Sequence, residues 1–245
     1  MKDNFSTQSD HYARYRPIYP DELFSYIAGL TPGKEAAWDC GTGNGQVAGK
    51  LAAYFTQVYA TDISRSQLDN AVPSSNISYS LQPAEKTNFP DRLFDLIIVA
   101  QAIHWFNFDD FYKEVKRTLK QEGYLVVTGY HLLQITEEAD ALIRSFYEGV
   151  IGAYWDEERR YIDEKYQTIP FPFEEIKTPE FSLKLEWTLE HLLGYLNTWS
   201  AVKHFQKKNG YNPVDGLKEA LGRAWGDQEY RTITLPLLLR IGRQR

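Results

Sequence analysis

The stretch WDCGTGNGQ, Trp38 to Gln46, sets three alternating glycines, Gly41, Gly43 and Gly45, directly behind the short apolar run AAWDC (36–40). A Cβ at such positions blocks either a close approach or the backbone angles that a tight turn needs, so a ligand is expected to come close to the main chain here. Val47, Leu51 and Phe55 follow at i, i+4, i+8, the stripe of an amphipathic helix. Strand, glycine turn and helix together open a nucleotide-binding α/β unit. The phosphate-loop pattern needs a lysine and a hydroxyl residue after its last glycine, and Gln46 and Val47 stand there instead. Gln46 also breaks the Gly-x-Gly-x-x-Gly dinucleotide fingerprint.

Asp39 bears on the ligand's charge. A carboxylate raises the energy of a pyrophosphate and lowers that of a cation, so the ligand reads as positive at that end. The other reading is a strand-end or capping residue in an ordinary glycine turn. Asp62 closes the second strand 21 residues after Gly41, near the distance at which an acid takes the ribose hydroxyls of an adenosine cofactor. Otherwise it caps a helix that begins near Ser64.

The rhythm continues outward. QVYATDI (57–63) reads as a strand, Gln67–Ala71 as a short helix, then ISYSLQ (77–82) and the buried-looking strand LFDLIIVAQA (93–102). A helix over Asp109–Leu119 and the strand YLVVTGY (124–130), after Gly123, follow. This order predicts an α/β fold, a mostly parallel sheet with helices on both faces. After Tyr130 come helical EEADALIRSFYEGVIGAYW (137–155), the charged turn DEERR (156–160) and YIDEKYQTIPFPF (161–173), where Pro170 and Pro172 end helical character. FSLKLEWTL (181–189) alternates like a strand, EHLLGYLNTWSAVKHF (190–205) and DGLKEALGRAWG (215–226) read as helices, and TITLPLLLRIG (232–242) as a final strand. The expected organisation is one domain: an N-terminal helical cap (1–30), a cofactor-binding half (33–130), an insert over the active site (131–179) and a C-terminal sheet with helices (180–245).

At 245 residues, 43% hydrophobic and 15% aromatic, the chain can bury a large core. A net charge of −6 argues against a nucleic-acid surface. The single cysteine, Cys40, excludes an internal disulfide and a cysteine-based metal cluster. The polar start MKDNFSTQSD carries no secretory signal, and the longest apolar run, LIIVAQAI (96–103), is too short for a bilayer. The expectation is a cytoplasmic monomer or homodimer with no metal and no nucleic-acid or membrane partner.

DCGTGNG (39–45), Asp62, Ala84-Glu85 after the third strand and FDLIIVAQAIHWF (94–106) together resemble the class I S-adenosylmethionine-dependent methyltransferases. The resemblance runs along essentially the whole chain and implies a Rossmann-like seven-stranded sheet ending in an antiparallel hairpin. It implies that Gly41, Gly43 and Gly45 wrap the methionine part, with Thr42 and Gln46 counted in the same cofactor loop. Asp62 would take the ribose, Ile63 would pack the adenine, Ala84 and Glu85 would approach the adenine edge, and Gln101 would lie under the cofactor through its backbone. This cofactor carries an ammonium and a sulfonium but no phosphate, which suits Asp39 and the missing lysine. YARYRPIYP (12–20), AIHWF (102–106), PFPFEE (170–175) and NTWSAVKHF (197–205) are similar to the small-molecule subgroup around the trans-aconitate methyltransferases.

On the acceptor side, His104 and Trp105 follow the fourth strand at the sheet edge where open α/β folds bind ligands. His104 could hydrogen-bond a carboxylate or serve as a base, and Trp105 could wall the pocket or face the sulfonium; both equally suit simple packing. Arg16, among Tyr12, Tyr15 and Tyr19, suits the cofactor's carboxylate or an anionic acceptor, in a helix that the resemblance implies is mobile. An amphipathic helix packing its tyrosines on the sheet is the alternative. Tyr154, Trp155 and Arg159 of the insert are candidate acceptor contacts, although Arg159-Arg160 also reads as a solvated turn. Trp199 reads either as a pocket wall or as helix packing. The expected reaction is methyl transfer to a small organic molecule, with ester formation at a carboxylate preferred over C-, N- or phenol O-methylation. An NAD(P)-type oxidoreductase and a non-catalytic cofactor-binding protein are the readings of other classes.

Overall fold

A computed structural model describes residues 15–244. Its centre is β1 (Ala36–Cys40), buried at every residue. Ala37 joins one core cluster, while Ala36, Trp38 and Cys40 join the other. The same alternation recurs in β4 (Phe94–Ala100), where Leu96 and Ile98 face one cluster and Ile97 and Val99 the other. A strand buried on both faces reads as a continuous apolar run, because helices cover both sides of the sheet.

β2 (Gln57–Asp62) and β3 (Ile77–Leu81) extend the parallel sheet on one side of β1, and β4 and β5 (Leu119–Tyr130) on the other, giving the order β3-β2-β1-β4-β5. The order reverses between β1 and β4, which is where open α/β sheets leave a crevice at their C-terminal ends. The long strand β8 (Arg231–Arg243) pairs antiparallel with β5 on one edge. Its other edge carries β6 (Glu174–Ile176) and β7 (Ser182–Trp187) end to end. Among the described residues, eight strands thus fill seven positions.

α1 (Asp21–Leu30) buries Leu23, Phe24, Ile27 and Ala28, and α2 (Gln46–Leu51) buries Val47, Ala48 and Leu51, all but Ala28 in the first-face cluster. α3 (Arg65–Asp69) starts at Ser64, whose hydroxyl accepts from the Gln67 amide. α4 (Phe108–Thr118) starts at Asn107, whose side chain accepts from the Asp110 amide, and buries Phe111 and Val115 on the second face. No helix among the described residues is long and apolar enough to cross a membrane.

The insert departs from the expected single helix over 137–155. α5 (Glu137–Ser145) passes into a π-helical turn over Phe146–Val150 and a 3-10 turn over Gly152–Tyr154. A second 3-10 turn, Glu157–Arg159, leads into α6 (Arg160–Asp163). The expected helix over 190–205 is likewise two, α7 (Leu189–Leu196) and α8 (Ser200–Asn209). The helical bond from the Asn197 amide to Leu193 O persists at 3.1 Å. At Tyr195 O, however, the Thr198 hydroxyl (2.7 Å) and amide (2.9 Å) stand where the Trp199 amide would donate in a continuing helix, and that amide turns to Leu196 O at 3.2 Å. After a 3-10 turn at Pro213–Leu217, α9 (Lys218–Trp225) completes the helices.

Candidate functional site

The crevice at the strand ends is built largely from backbone. Gly41 and Thr42 amides both donate to Thr61 O at 2.9 Å, tying the loop after β1 to β2. Gly41 has φ 72°, and a Cβ there would stand 2.7 Å from that of Ala102, so the β1 and β4 loops touch only because this residue is glycine. Gly43, at φ 56°, is different. A Cβ there would find only Gln67 Oε1, at 3.8 Å, so the left-handed backbone turns its open side to the cleft. Asp62 braces this loop, with Oδ2 accepting from the Gly43 amide at 2.8 Å and Oδ1 from the Ser64 amide at 2.9 Å.

The resulting cleft holds about 900 Å³ and is lined by Asp39, Thr42, Gly43, Gln46, Asp62, Ile63, Gln101 and Trp105, with Arg16 and Tyr19 at its rim. Asp39 is buried and accepts from the Thr42 hydroxyl at 2.5 Å. Burial pushes its carboxyl up to about 7 against the opposing pull of that hydroxyl, and neighbouring Asp62 adds to the rise. A cation placed here would tip Asp39 to its anion. Gln101 carries a left-handed φ of 54° without being glycine. It is held by its amide on Thr128 O at 2.9 Å and by Nε2 on Tyr130 O at 3.1 Å. Such strain, about 1 kcal/mol or more, concentrates at functional sites.

A second pocket of about 480 Å³ shares Arg16, Gln101 and Trp105 with the first and adds His104, Trp155, Asp156, Arg159, Trp199 and Ser200. Arg159 and Arg160 part company here. Arg159 lies over the Trp155 ring at 4.5 Å from its centroid, donates through Nε to the Tyr147 hydroxyl at 2.7 Å and sits 3.6 Å from Asp163, whereas Arg160 is exposed beside Tyr161. Arg16 donates to the Tyr130 hydroxyl at 3.1 Å. His104 is buried, and burial, reinforced by Arg159 and Arg16, depresses its pKa to about 3, so the ring is neutral.

Several expected positions fall elsewhere. Gly45 does not line the cleft; a Cβ there would meet the Tyr79 hydroxyl at 2.2 Å, so its φ of 80° and its bare α-carbon serve loop packing. Ala84 is buried in the second-face core, and Glu85 accepts from the Asn107 amide at 3.1 Å; neither lines either pocket. Tyr15 packs against His191 and Gly194 of α7 and lines neither pocket. Tyr154 packs on Phe205 with its hydroxyl accepting from Asn209, also outside them. Tyr19 lines the first cleft and not the second pocket. Tyr12 lies outside the described residues, as do residues 1–14 of the expected N-terminal cap (1–30).

The sequence pattern passed over Tyr130 and Asp156. Tyr130 ends β5 at the same sheet edge as Gln101, and its place as the last residue of YLVVTGY was the available signal. Asp156 carried none, because it is one acid among several in a charged turn.

A family model described as a methyltransferase domain matches residues 38–127. A Dictyostelium discoideum protein described as a methyltransferase is 36% identical over 97% of this chain and 93% of its own length. A Saccharomyces cerevisiae protein described as an S-adenosylmethionine-dependent methyltransferase is 26% identical over 65% of this chain and 59% of its own. The solved structure of a type II methyltransferase from Anaeromyxobacter dehalogenans, at 35% identity, superposes with a TM-score of 0.87 and covers 94% of this chain and 98% of that one.

Proposed function

This chain belongs to the class I S-adenosylmethionine-dependent methyltransferases, and on that premise we propose that it methylates a small anionic organic molecule, forming a methyl ester at a carboxylate. The observation that carries the acceptor assignment is the second pocket, where Arg16 and Arg159 stand over a wall shared with the larger cleft.

The larger cleft fits the cofactor by the chemistry of its donors and acceptors. Gly43 leaves room for close approach, Asp39 offers a carboxylate to an ammonium, Asp62 lines the cleft with a carboxylate suited to ribose hydroxyls, and among the described residues no lysine lines it to prefer a phosphate. Bound there, S-adenosylmethionine supplies an electrophilic methyl group on a sulfonium. The chain's task is then to align a nucleophile with that methyl at about 3–3.5 Å and keep water out. Trp105 and Gln101, which line both pockets, separate cofactor from acceptor. Arg16 and Arg159 hold the acceptor's negative charge, Arg159 braced by Trp155 and Tyr147. A carboxylate needs no base, and that agrees with a His104 too weakly basic to store a proton near neutral pH. The stretches around Arg16, Trp105, Phe171 and Trp199 support a place near the trans-aconitate subgroup.

The test is transfer of a labelled methyl group from S-adenosylmethionine to a panel of carboxylic acids, phenols and amines. We expect base-labile label, released as methanol, from the acids. Label found only on phenols or amines overturns ester formation, and strong NADH uptake with no binding of S-adenosylhomocysteine overturns the cofactor assignment.

A further inference from the structure

Tyr166 belongs to none of the motifs above, yet many contacts combine to place it. Lys165 and Tyr166 have φ of 54° and 60°, two consecutive left-handed residues without a glycine, a conformation that persists only where the surroundings over-determine it. The Tyr166 amide donates to Tyr161 O at 2.6 Å. Arg240 Nη1 donates to Tyr166 O at 2.9 Å and Ile169 O at 2.8 Å, while its Nε and Nη2 grip the Glu175 carboxylate at 2.8 Å each. The ring is fully buried and crosses Gly129, where a Cβ would stand 2.9 Å from both its Cε2 and its hydroxyl.

The hydroxyl ends between His104 Nδ1, at 3.2 Å, and Gln101 Oε1, at a longer 3.5 Å. Gln101 uses Nε2 on Tyr130 O, so the atom it turns to Tyr166 is its acceptor oxygen. A phenol has one proton. If that proton goes to Gln101 Oε1, the phenol oxygen must accept from His104 Nδ1–H, and the buried phenol and imidazole are satisfied in one chain that ends on the half-buried Gln101. Burial holds the Tyr166 proton on, pushing its pKa up, and holds His104 neutral. A neutral imidazole with its proton on Nδ1 has its lone pair on Nε2.

We propose that Tyr166 is a positioning residue that fixes His104 as the Nδ1–H tautomer, so that Nε2 presents a lone pair to the second pocket. Taken with the reading of that pocket as the acceptor site, on which this part rests, the acceptor is an acid that also carries a hydroxyl or N–H. The anion meets Arg16 and Arg159, and the donor meets His104. An acid without such a donor leaves Nε2 unpaired and is rejected, because a buried polar group denied its partner is costly.

The experiment is ¹⁵N NMR of the histidine side chains of the full chain near neutral pH, with His104→Asn assigning its signal among the five histidines. We expect Nδ1 at a protonated-type shift and Nε2 at an unprotonated-type shift in the parent. Tyr166→Phe keeps the ring and loses only the hydroxyl; in it, the pattern moves toward Nε2–H while affinity for S-adenosylhomocysteine stays the same. A parent already in the Nε2–H form, or a Tyr166→Phe spectrum unchanged at His104, overturns the proposal. No acceptor is needed, so the outcome stands apart from the methyl-transfer screen: failure to bind S-adenosylhomocysteine would sink the enzyme assignment and leave the tautomer result readable.

Discussion

The two neighbouring cavities are built by opposite means. The larger cleft is framed by main chain at the ends of β1, β2 and β4, with acids at two fixed points, Asp39 and Asp62. The smaller pocket is assembled from side chains that arrive from separate segments: Arg16 before α1, His104 after β4, Trp155 and Arg159 from the insert, and Trp199 and Ser200 from the break between α7 and α8. A backbone cradle constrains its sequence through conformations that few residues adopt, whereas a side-chain pocket can be rebuilt one substitution at a time. The first is suited to a ligand that does not change, the second to one that does.

The comparison breaks first at Asp62. Asp62→Ala removes acceptors from the Gly43 and Ser64 amides and, on the proposed cofactor placement, from the ribose. Charge-assisted bonds of this kind are each worth about 1.5–3 kcal/mol, so affinity for S-adenosylhomocysteine should fall about 100-fold by calorimetry, the fold remaining intact. A variant that titrates like the parent would remove Asp62 from the cofactor site. A smaller effect separates the two cavities. Arg159→Met keeps the stem against Trp155 and should raise the acceptor KM about tenfold with cofactor affinity unchanged. Equal losses of both would mean that the pocket and the cleft are not energetically distinct.

The smallest effect concerns Asp39. Its carboxyl is raised to about 7 from 3.8, so the folded protein keeps a proton that the unfolded chain loses at lower pH. This group therefore favours the fold at acid pH, and its contribution is lost as pH rises from about 4 through 7. A cationic ligand end requires the ionised form. Affinity for S-adenosylhomocysteine should accordingly rise severalfold between about pH 6 and about pH 8, and Asp39→Asn should flatten that profile. A parent already flat across the interval would show that Asp39 does not meet the ligand's charge.

This division also explains what could be read from the chain. The glycine loop and Asp62 were legible because their geometry is local: left-handed glycines and an acid ending a strand leave a fixed spacing. So was the sheet as far as β5, where short strand-like runs alternate with helical stripes. Glu174–Ile176 escaped notice because a three-residue edge strand has no periodicity to show. Trp199 could be placed at the pocket only once the helix was seen to break before it. Apolar spacing runs unbroken through 190–205, and the break comes where Thr198 takes the Tyr195 carbonyl with both hydroxyl and amide, which periodicity does not register. Tyr154 and Tyr15 looked equivalent to Trp155 and Arg16 in sequence; the turn over Gly152–Tyr154 and the packing on Gly194 point them elsewhere. Tyr166 was visible only as one aromatic among several in the insert, and nothing marked its placement, since its strained turn contains no glycine.

On the function proposed above, Gln101 and Trp105, which line both pockets, are a party wall between two tenants. A molecule that settles on one side presses on the same atoms that the other must use, so the free energy of each depends on whether its neighbour is at home. By thermodynamic reciprocity that influence is equal in both directions. Spent cofactor lingering in its own chamber would therefore alter the grip on the next acceptor by the same factor with which that acceptor alters its release.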